Sequence, residues 1–194
     1  MSWLERHLSA LASPGALVLE LGCGPGVDAA HLTAAGFRVV ATDTSPRALA
    51  RAAEQVGRTA LLRVDHGVPL PFRDGVFEAV VASLTLHYFG REATRAAFVE
   101  VRRVLRPGGA LLFRVNATDD IEHGALDGIE VERNVRTDPH AHYSELKHFF
   151  DEPDLREVLD GLLEVEALEH LAIERNQQTK RIWECRARTA DAAV

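Results

Sequence analysis

Val18-Leu19-Glu20-Leu21-Gly22-Cys23-Gly24-Pro25-Gly26 runs from an apolar strand into a turn with glycine at every second position. Ala16 to Leu21 is apolar apart from Glu20, the composition of a strand buried on both faces. Glycine has no Cβ, so it takes left-handed dihedrals and lets main-chain amides approach a ligand closely. Asp28 to Ala35 follows as an alanine-rich helix stopped by Gly36. Strand, glycine turn and helix in that order place the turn at the carboxyl end of a sheet, where open α/β sheets bind ligands. The alternative is a tight turn that holds nothing.

The same alternation continues on either side. Arg38 to Thr42 is a second strand ending at Asp43, and Ser45-Pro46 opens a helix with proline in its first turn. Thr59 to Val64 is a third strand ending at Asp65, and Gly67 to Phe72 is a proline-stiffened loop. Phe77 to Leu84 is a fourth strand, Glu92 to Leu105 a helix, and Ala110 to Val115 a fifth strand. Asn116 to Phe150 shows no sustained period, which in a compact domain marks a functional connection. A helix over Asp151 to Leu162 and strands near Leu163 to Ala167 and Ile182 to Arg188 complete the pattern. Upstream, Ser2 and Glu5 read as a capping box, with Leu4, Leu8 and Leu11 on one face, so a helix is expected within residues 1–15. No repeat or linker divides residues 1–194, and a single α/β domain is expected.

Composition narrows the function. Lysine and arginine number 22 against 29 acids, a net charge of −7, which argues against a phosphate-backbone partner. Cys23 and Cys185 make neither a disulfide framework nor a zinc spacing. Met1 to Arg6 has no basic stretch followed by an apolar run, and no apolar segment reaches membrane-spanning length. A cytoplasmic, reduced protein with no membrane and no nucleic-acid partner is expected.

Acids end three successive strands: Glu20 one turn early, then Asp43, twenty-one residues after Gly22, then Asp65 with His66 behind it. That spacing sets a carboxylate beside the glycine turn, where it can accept ribose hydroxyls. The third glycine of a dinucleotide fingerprint would fall at Val27, so a pyrophosphate cofactor is disfavoured. No phosphate-cradling G-x-x-x-x-G-K-[ST] run is present either. A cationic adenosyl ligand without phosphates suits such an acidic crevice.

Glu20-x-Gly22-x-Gly24-x-Gly26, Asp43, Asp65, Phe77 to Val81 and Leu105-Arg106-Pro107-Gly108-Gly109 resemble, in order, the motifs of class I S-adenosylmethionine-dependent methyltransferases. The resemblance covers roughly the first 115 residues. It implies a Rossmann-like three-layer α/β sandwich, with a seven-stranded, mostly parallel sheet of order 3-2-1-4-5-7-6 and helices on both faces. It also implies that Glu20, Gly22, Cys23, Gly24, Gly26, Asp43, Thr44, Asp65, His66 and Ser83 surround S-adenosylmethionine, with Asp43 at the ribose and Asp65 and His66 beside the adenine. Glu78 stands where the family often has aspartate, at a position expected to support the fourth strand.

The acceptor is less constrained. Ser83 to Phe89 leaves the fourth strand toward the same crevice, and His87 could orient an acceptor, take its proton, or merely fix the loop. Residues 116–150 are expected to cover the acceptor, and His123, His140, His142, Tyr143 and His148 read as parts of a polar lid with no metal. A small-molecule acceptor is expected, because no Asn-Pro-Pro-aromatic run follows the fourth strand and no separate substrate domain precedes the first. Phe149 to Glu152 and Trp183-Glu184 are similar to small methyltransferases of the tellurite-resistance type. The competing readings are a non-catalytic binder of S-adenosylmethionine or S-adenosylhomocysteine, acting as a sensor or assembly partner, and a nicotinamide-dependent oxidoreductase.

Overall fold

The computed structural model describes residues 3–57, 59–66, 69–137, 145–175 and 177–191. In chain order the elements are α1 (Leu8–Leu11), β1 (Leu17–Leu21), α2 (Val27–Ala34), β2 (Arg38–Asp43), α3 (Pro46–Val56), β3 (Ala60–Arg63) and β4 (Phe77–Ser83). Then follow α4 (Arg91–Val104), β5 (Leu105–Asn116), the short β6 (Glu130–Glu132), β7 (Val135–Thr137) and β8 (Leu146–His148), α5 (Glu152–Leu159), β9 (Glu164–Arg175) and β10 (Gln178–Arg188).

Seven strands form one sheet in the order β3-β2-β1-β4-β5-β10-β9. Counted within this sheet alone, that is 3-2-1-4-5-7-6. β1 to β5 run parallel to one another, and β10 is antiparallel to both β5 and β9. Side chains alternate across the sheet, as strand pleating requires. Val18, Ala41, Ala79, Val81, Ala110 and Leu112 meet Leu11 of α1, Ala29 and Leu32 of α2, and Ala52 and Val56 of α3. Leu19, Leu21, Val80, Leu111, Phe113 and Val115 meet Phe98, Val101 and Val104 of α4 and Leu155 and Leu159 of α5. The two cores explain why β1, β4 and β5 read as continuous apolar runs. Among the described residues no helix is long and apolar enough to cross a membrane.

The structure corrects several boundaries. The N-terminal helix shrinks to Leu8–Leu11, with residues 3–7 in turns, and Ser2 of the expected capping box lies outside the described residues. His7 occupies the N-cap without a side-chain cap, because its ring is engaged by Glu184. β4 stops at Ser83, since Leu84 takes φ +56°. The helix expected over 151–162 ends at Leu159, before Gly161 at φ +68°. Residues 116–150 are not irregular throughout: β6, β7 and β8 form a three-stranded antiparallel sheet. Those strands have three residues each, too short for a periodic signal in the sequence. His140, His142 and Tyr143 lie outside the described residues.

Candidate active site

β1 delivers the chain to the carboxyl edge of the sheet, and the residues that follow tie it to β2. Cys23 N donates to the Thr42 carbonyl at 2.8 Å, and Gly24 N donates to Asp43 Oδ2 at 2.9 Å. Asp43 Oδ1 accepts from Ser45 N at 2.8 Å, so this one carboxylate ties the glycine turn to the start of α3. The three glycines do different work at φ +68°, +52° and +86°. A Cβ on Gly22 would strike Thr85 Oγ1 at 2.1 Å, and one on Gly26 would meet Ala52 at 2.9 Å, so both positions are set by close packing. Nothing lies within 4 Å of a Cβ on Gly24. Its open side is the part of the turn a ligand can approach.

Glu20 is 3% exposed, and its Oε2 has no hydrogen-bond partner. Burial, with Asp28 and Asp43 adding like charge, pushes its carboxyl up to about 8. The same burial and the carboxylates of Glu20 and Asp43 push the Cys23 thiol up to about 12, so it stays protonated and unreactive. His66 is buried with Nε2 3.0 Å from Thr42 Oγ1. Thr42 gives its only hydroxyl proton to the Glu20 carbonyl at 2.8 Å, so the His66 ring nitrogen must be the donor. His66 thus braces the ends of β1, β2 and β3, and burial lowers its pKa. Asp65 and Thr44 are exposed on the loops after β3 and β2. Glu78 accepts from Leu17 N at 2.8 Å, at the opposite edge of the sheet, where it starts β1.

A buried acid with one unpartnered oxygen gives a pH signature. The folded pKa of Glu20 lies above its ordinary value of 4.5, so the folded state holds the extra proton. Stability of the free protein is therefore expected to fall as pH rises from about 4.5 to about 8, then level off. Binding of a cation there expels that proton, so affinity is expected to rise about tenfold from pH 6 to pH 7. Melting curves and calorimetric titrations across this range check both, and Glu20→Gln should flatten each dependence.

The loop after β4 lies at the same edge of the sheet. Ser83 pairs with Arg114 of β5, and Thr85 Oγ1 donates to the Leu21 carbonyl at 3.1 Å. Thr85 therefore clamps Gly22 from across the sheet, and its only sequence signal is its place two residues beyond the strand. His87 is 2% exposed with Nδ1 unpartnered, and burial together with Lys180, Lys147 and Arg175 holds the imidazole neutral. The His87 carbonyl accepts from His148 N at 2.8 Å, which ties this loop to β8 of the three-stranded sheet. His123 faces Asp120, its Nδ1 3.2 Å from Oδ1.

A family model described as a methyltransferase domain matches residues 19–113, which include every strand and loop that builds this crevice up to β5. Residues 19–113 are thus similar to a methyltransferase domain. An uncharacterised methyltransferase of Synechocystis sp. is 38% identical over 97 residues, covering 50% of this chain and 45% of the relative. A demethylmenaquinone methyltransferase of Mycobacterium bovis is 40% identical over 112 residues, covering 57% and 45%. The chain thus spans about half the length of the curated relatives it matches. A solved S-adenosylmethionine-dependent methyltransferase of Methanosarcina mazei superposes with TM-score 0.78 over 95% of this chain and 97% of that one, at 19% identity.

The residues around the glycine turn fit S-adenosylmethionine, the donor that the resemblance implies. The ionised form of Glu20, buried with Oε2 unpartnered, is costly without a cation beside it. The main chain at Gly24 is open, and Asp43 keeps a lone pair on each oxygen beyond the amides it already accepts.

Proposed function

We propose that this protein is an S-adenosylmethionine-dependent methyltransferase that acts on a small organic acceptor. The observation that carries the reading is the orphaned Glu20 carboxyl oxygen beside the open face of Gly24. Glu20 and the glycine turn hold the aminoacyl part of the donor, and Asp43 holds the ribose hydroxyls. Asp65 and Thr44 border the nucleoside, with His66 fixing the strand ends beneath it. S-adenosylmethionine supplies a methyl group on a sulfonium, a leaving group that needs no protonation. The chain therefore has to align and desolvate the reactants, which is worth about 7–11 kcal/mol in well-oriented systems.

His87 is the candidate base at the acceptor. Its neutral ring can take a proton through Nδ1, and its place after β4 brings it to the same edge of the sheet as Ser83. The lid of β6, β7 and β8 excludes water from that side. The name of the mycobacterial relative supports an acceptor of the demethylmenaquinone kind, a small molecule and not a nucleic acid.

Titration with S-adenosylhomocysteine, followed by product assays over a panel of small acceptors, tests the reading. Saturable binding with methylated product supports it. Binding without any turnover leaves a sensor or assembly partner, and binding of a nicotinamide dinucleotide instead removes the reading altogether.

A further inference from the structure

The chain has only two lysines, Lys147 and Lys180, and both act on one buried ring, that of His87. The backbone brings them there from different elements. Asn116, at the end of β5, pairs with Ile182 of β10, and its carbonyl accepts from Phe150 N at 2.8 Å. Two residues before Phe150, His148 donates its N–H to the His87 carbonyl at 2.8 Å. Residues 148–150 therefore join the His87 loop to the end of β5, with β10 on the far side. Lys180 stands two residues from Ile182, on the same face of the sheet as Asn116, because side chains alternate along a strand.

Three buried polar groups at this edge have bonding capacity to spare. Asn116 is 2% exposed with no partner for Oδ1, and His87 has none for Nδ1. Lys180 is buried and gives one N–H to Asp120 Oδ2 at 2.7 Å, which leaves two of its three donors unassigned among the described residues. Asp120 is shared, since it also accepts from Arg181 N at 2.9 Å and faces His123 Nδ1 at 3.2 Å. Lys147, in β8 beside His148, and Arg175, at the end of β9, add positive charge that reaches both the His87 ring and Lys180. Positive charge is thus gathered at one point of a chain whose net charge is −7.

Like charges gathered around buried groups are costly unless an anion joins them. The same cations oppose any proton that His87 takes from an acceptor, unless negative charge arrives with that acceptor. We infer that the acceptor binds as an oxyanion, a carboxylate or an ionised phenol or enol, held by Lys180 and Lys147 beside His87. The inference rests on the methyltransferase reading above and names the acceptor class for that site. Lysine suits the task, because a compact charge with three rotatable donors serves either oxyanion, whereas the flat arginine fork selects a planar, two-oxygen partner. Asn116 Oδ1 then takes a hydroxyl or N–H elsewhere on the acceptor.

Calorimetry on the full chain saturated with S-adenosylhomocysteine tests this with two matched pairs of probes. Benzoate against benzamide reports a carboxylate, and 4-nitrophenol against 4-nitroanisole reports an ionised phenol. At least one anion is expected to bind about tenfold or more tighter than its neutral partner, and the pair that shows this identifies the oxyanion. For the phenol, the absorbance of the phenolate should appear on binding at a pH where the free compound is mostly neutral. Lys147→Met, at a half-buried position, should cut the preference about fivefold or more and leave the neutral probe unaffected. Lys180→Met strands the buried Asp120, so Lys180→Met combined with Asp120→Asn makes the same test without that anion and should give the same loss. The His87 ring, followed by NMR, should take its proton about 1–3 pH units higher once the anion is bound. Neutral probes that bind as tightly as anions, no binding of either anion, variants that keep the preference, or an unmoved His87 ring overturn the inference. Protein that does not take up S-adenosylhomocysteine overturns the methyltransferase reading itself, a result separate from any failure at the two lysines.

Discussion

Asp43→Ala is expected to weaken binding of S-adenosylhomocysteine at least a hundredfold in calorimetric titration. The proposed site uses this carboxylate twice. Toward the ligand, hydrogen bonds from two ribose hydroxyls to a charged acceptor are worth about 1.5–3 kcal/mol each, and about 2.7 kcal/mol already amounts to a hundredfold. Toward the protein, the carboxylate holds Gly24 N at 2.9 Å and Ser45 N at 2.8 Å. Losing it frees a turn whose three glycines all sit at positive φ and whose shape the other strands do not fix at Gly24. The melting temperature should fall as well, by about 2–4 °C for each kcal/mol lost in a domain of this size. Asp43→Asn separates the two roles: the amide keeps one acceptor for a main-chain N–H, so stability should recover further than affinity. An unchanged dissociation constant in Asp43→Ala takes this residue out of the site.

The parts of this picture that the sequence shows directly are those governed by local rules. The apolar run into Gly22 predicts β1, and the acids closing β2 and β3 mark the crevice, because strand pleating and the glycine turn act over a few residues. The three-stranded sheet was hidden for a physical reason. β6, β7 and β8 draw their stability from contacts with α4, α5 and the His87 loop, not from propensity of their own. Thr85 and Arg114 were equally silent. A threonine that clamps a glycine across the sheet, and an arginine whose neighbours come from residue 3 and residue 184, become meaningful only once the strands are in register. At His66 the place after the third strand does not announce the brace that its ring makes to Thr42.

Replacing Asp154 should cost several kcal/mol of stability, because it joins the three-stranded sheet to the core. Asp154 lies in the first turn of α5, is 1% exposed, and its amide is capped by Asp151 Oδ1 at 2.8 Å. Its own carboxylate receives Arg91 Nη1 from α4 at 2.8 Å and Asn134 Nδ2 from the lid at 2.5 Å, with Arg133 at 3.7 Å and His148 Nε2 at 3.9 Å. Asp154→Ala leaves Asn134 without this partner and strips Arg91 of its buried anion, a class of change that costs about 3–5 kcal/mol. Calorimetry should then show a melting temperature lower by about 6–20 °C. Trypsin should cut first after Arg133 and Arg136, since the lid is released before the central sheet. Acid should imitate part of this effect. Burial depresses His148 to about 4, so the folded state excludes a proton that the unfolded chain binds below about 6.5. Stability is consequently expected to fall as pH drops from about 6.5 to about 4, and His148→Phe, which keeps the stack on Phe150, should remove that slope. Because His148 N also holds the His87 carbonyl, loosening the lid shifts the candidate base. Asp154→Ala should therefore lower turnover at 25 °C while donor affinity changes little. A variant that melts within 1 °C of wild type while losing turnover would place Asp154 in the chemistry and not in the frame.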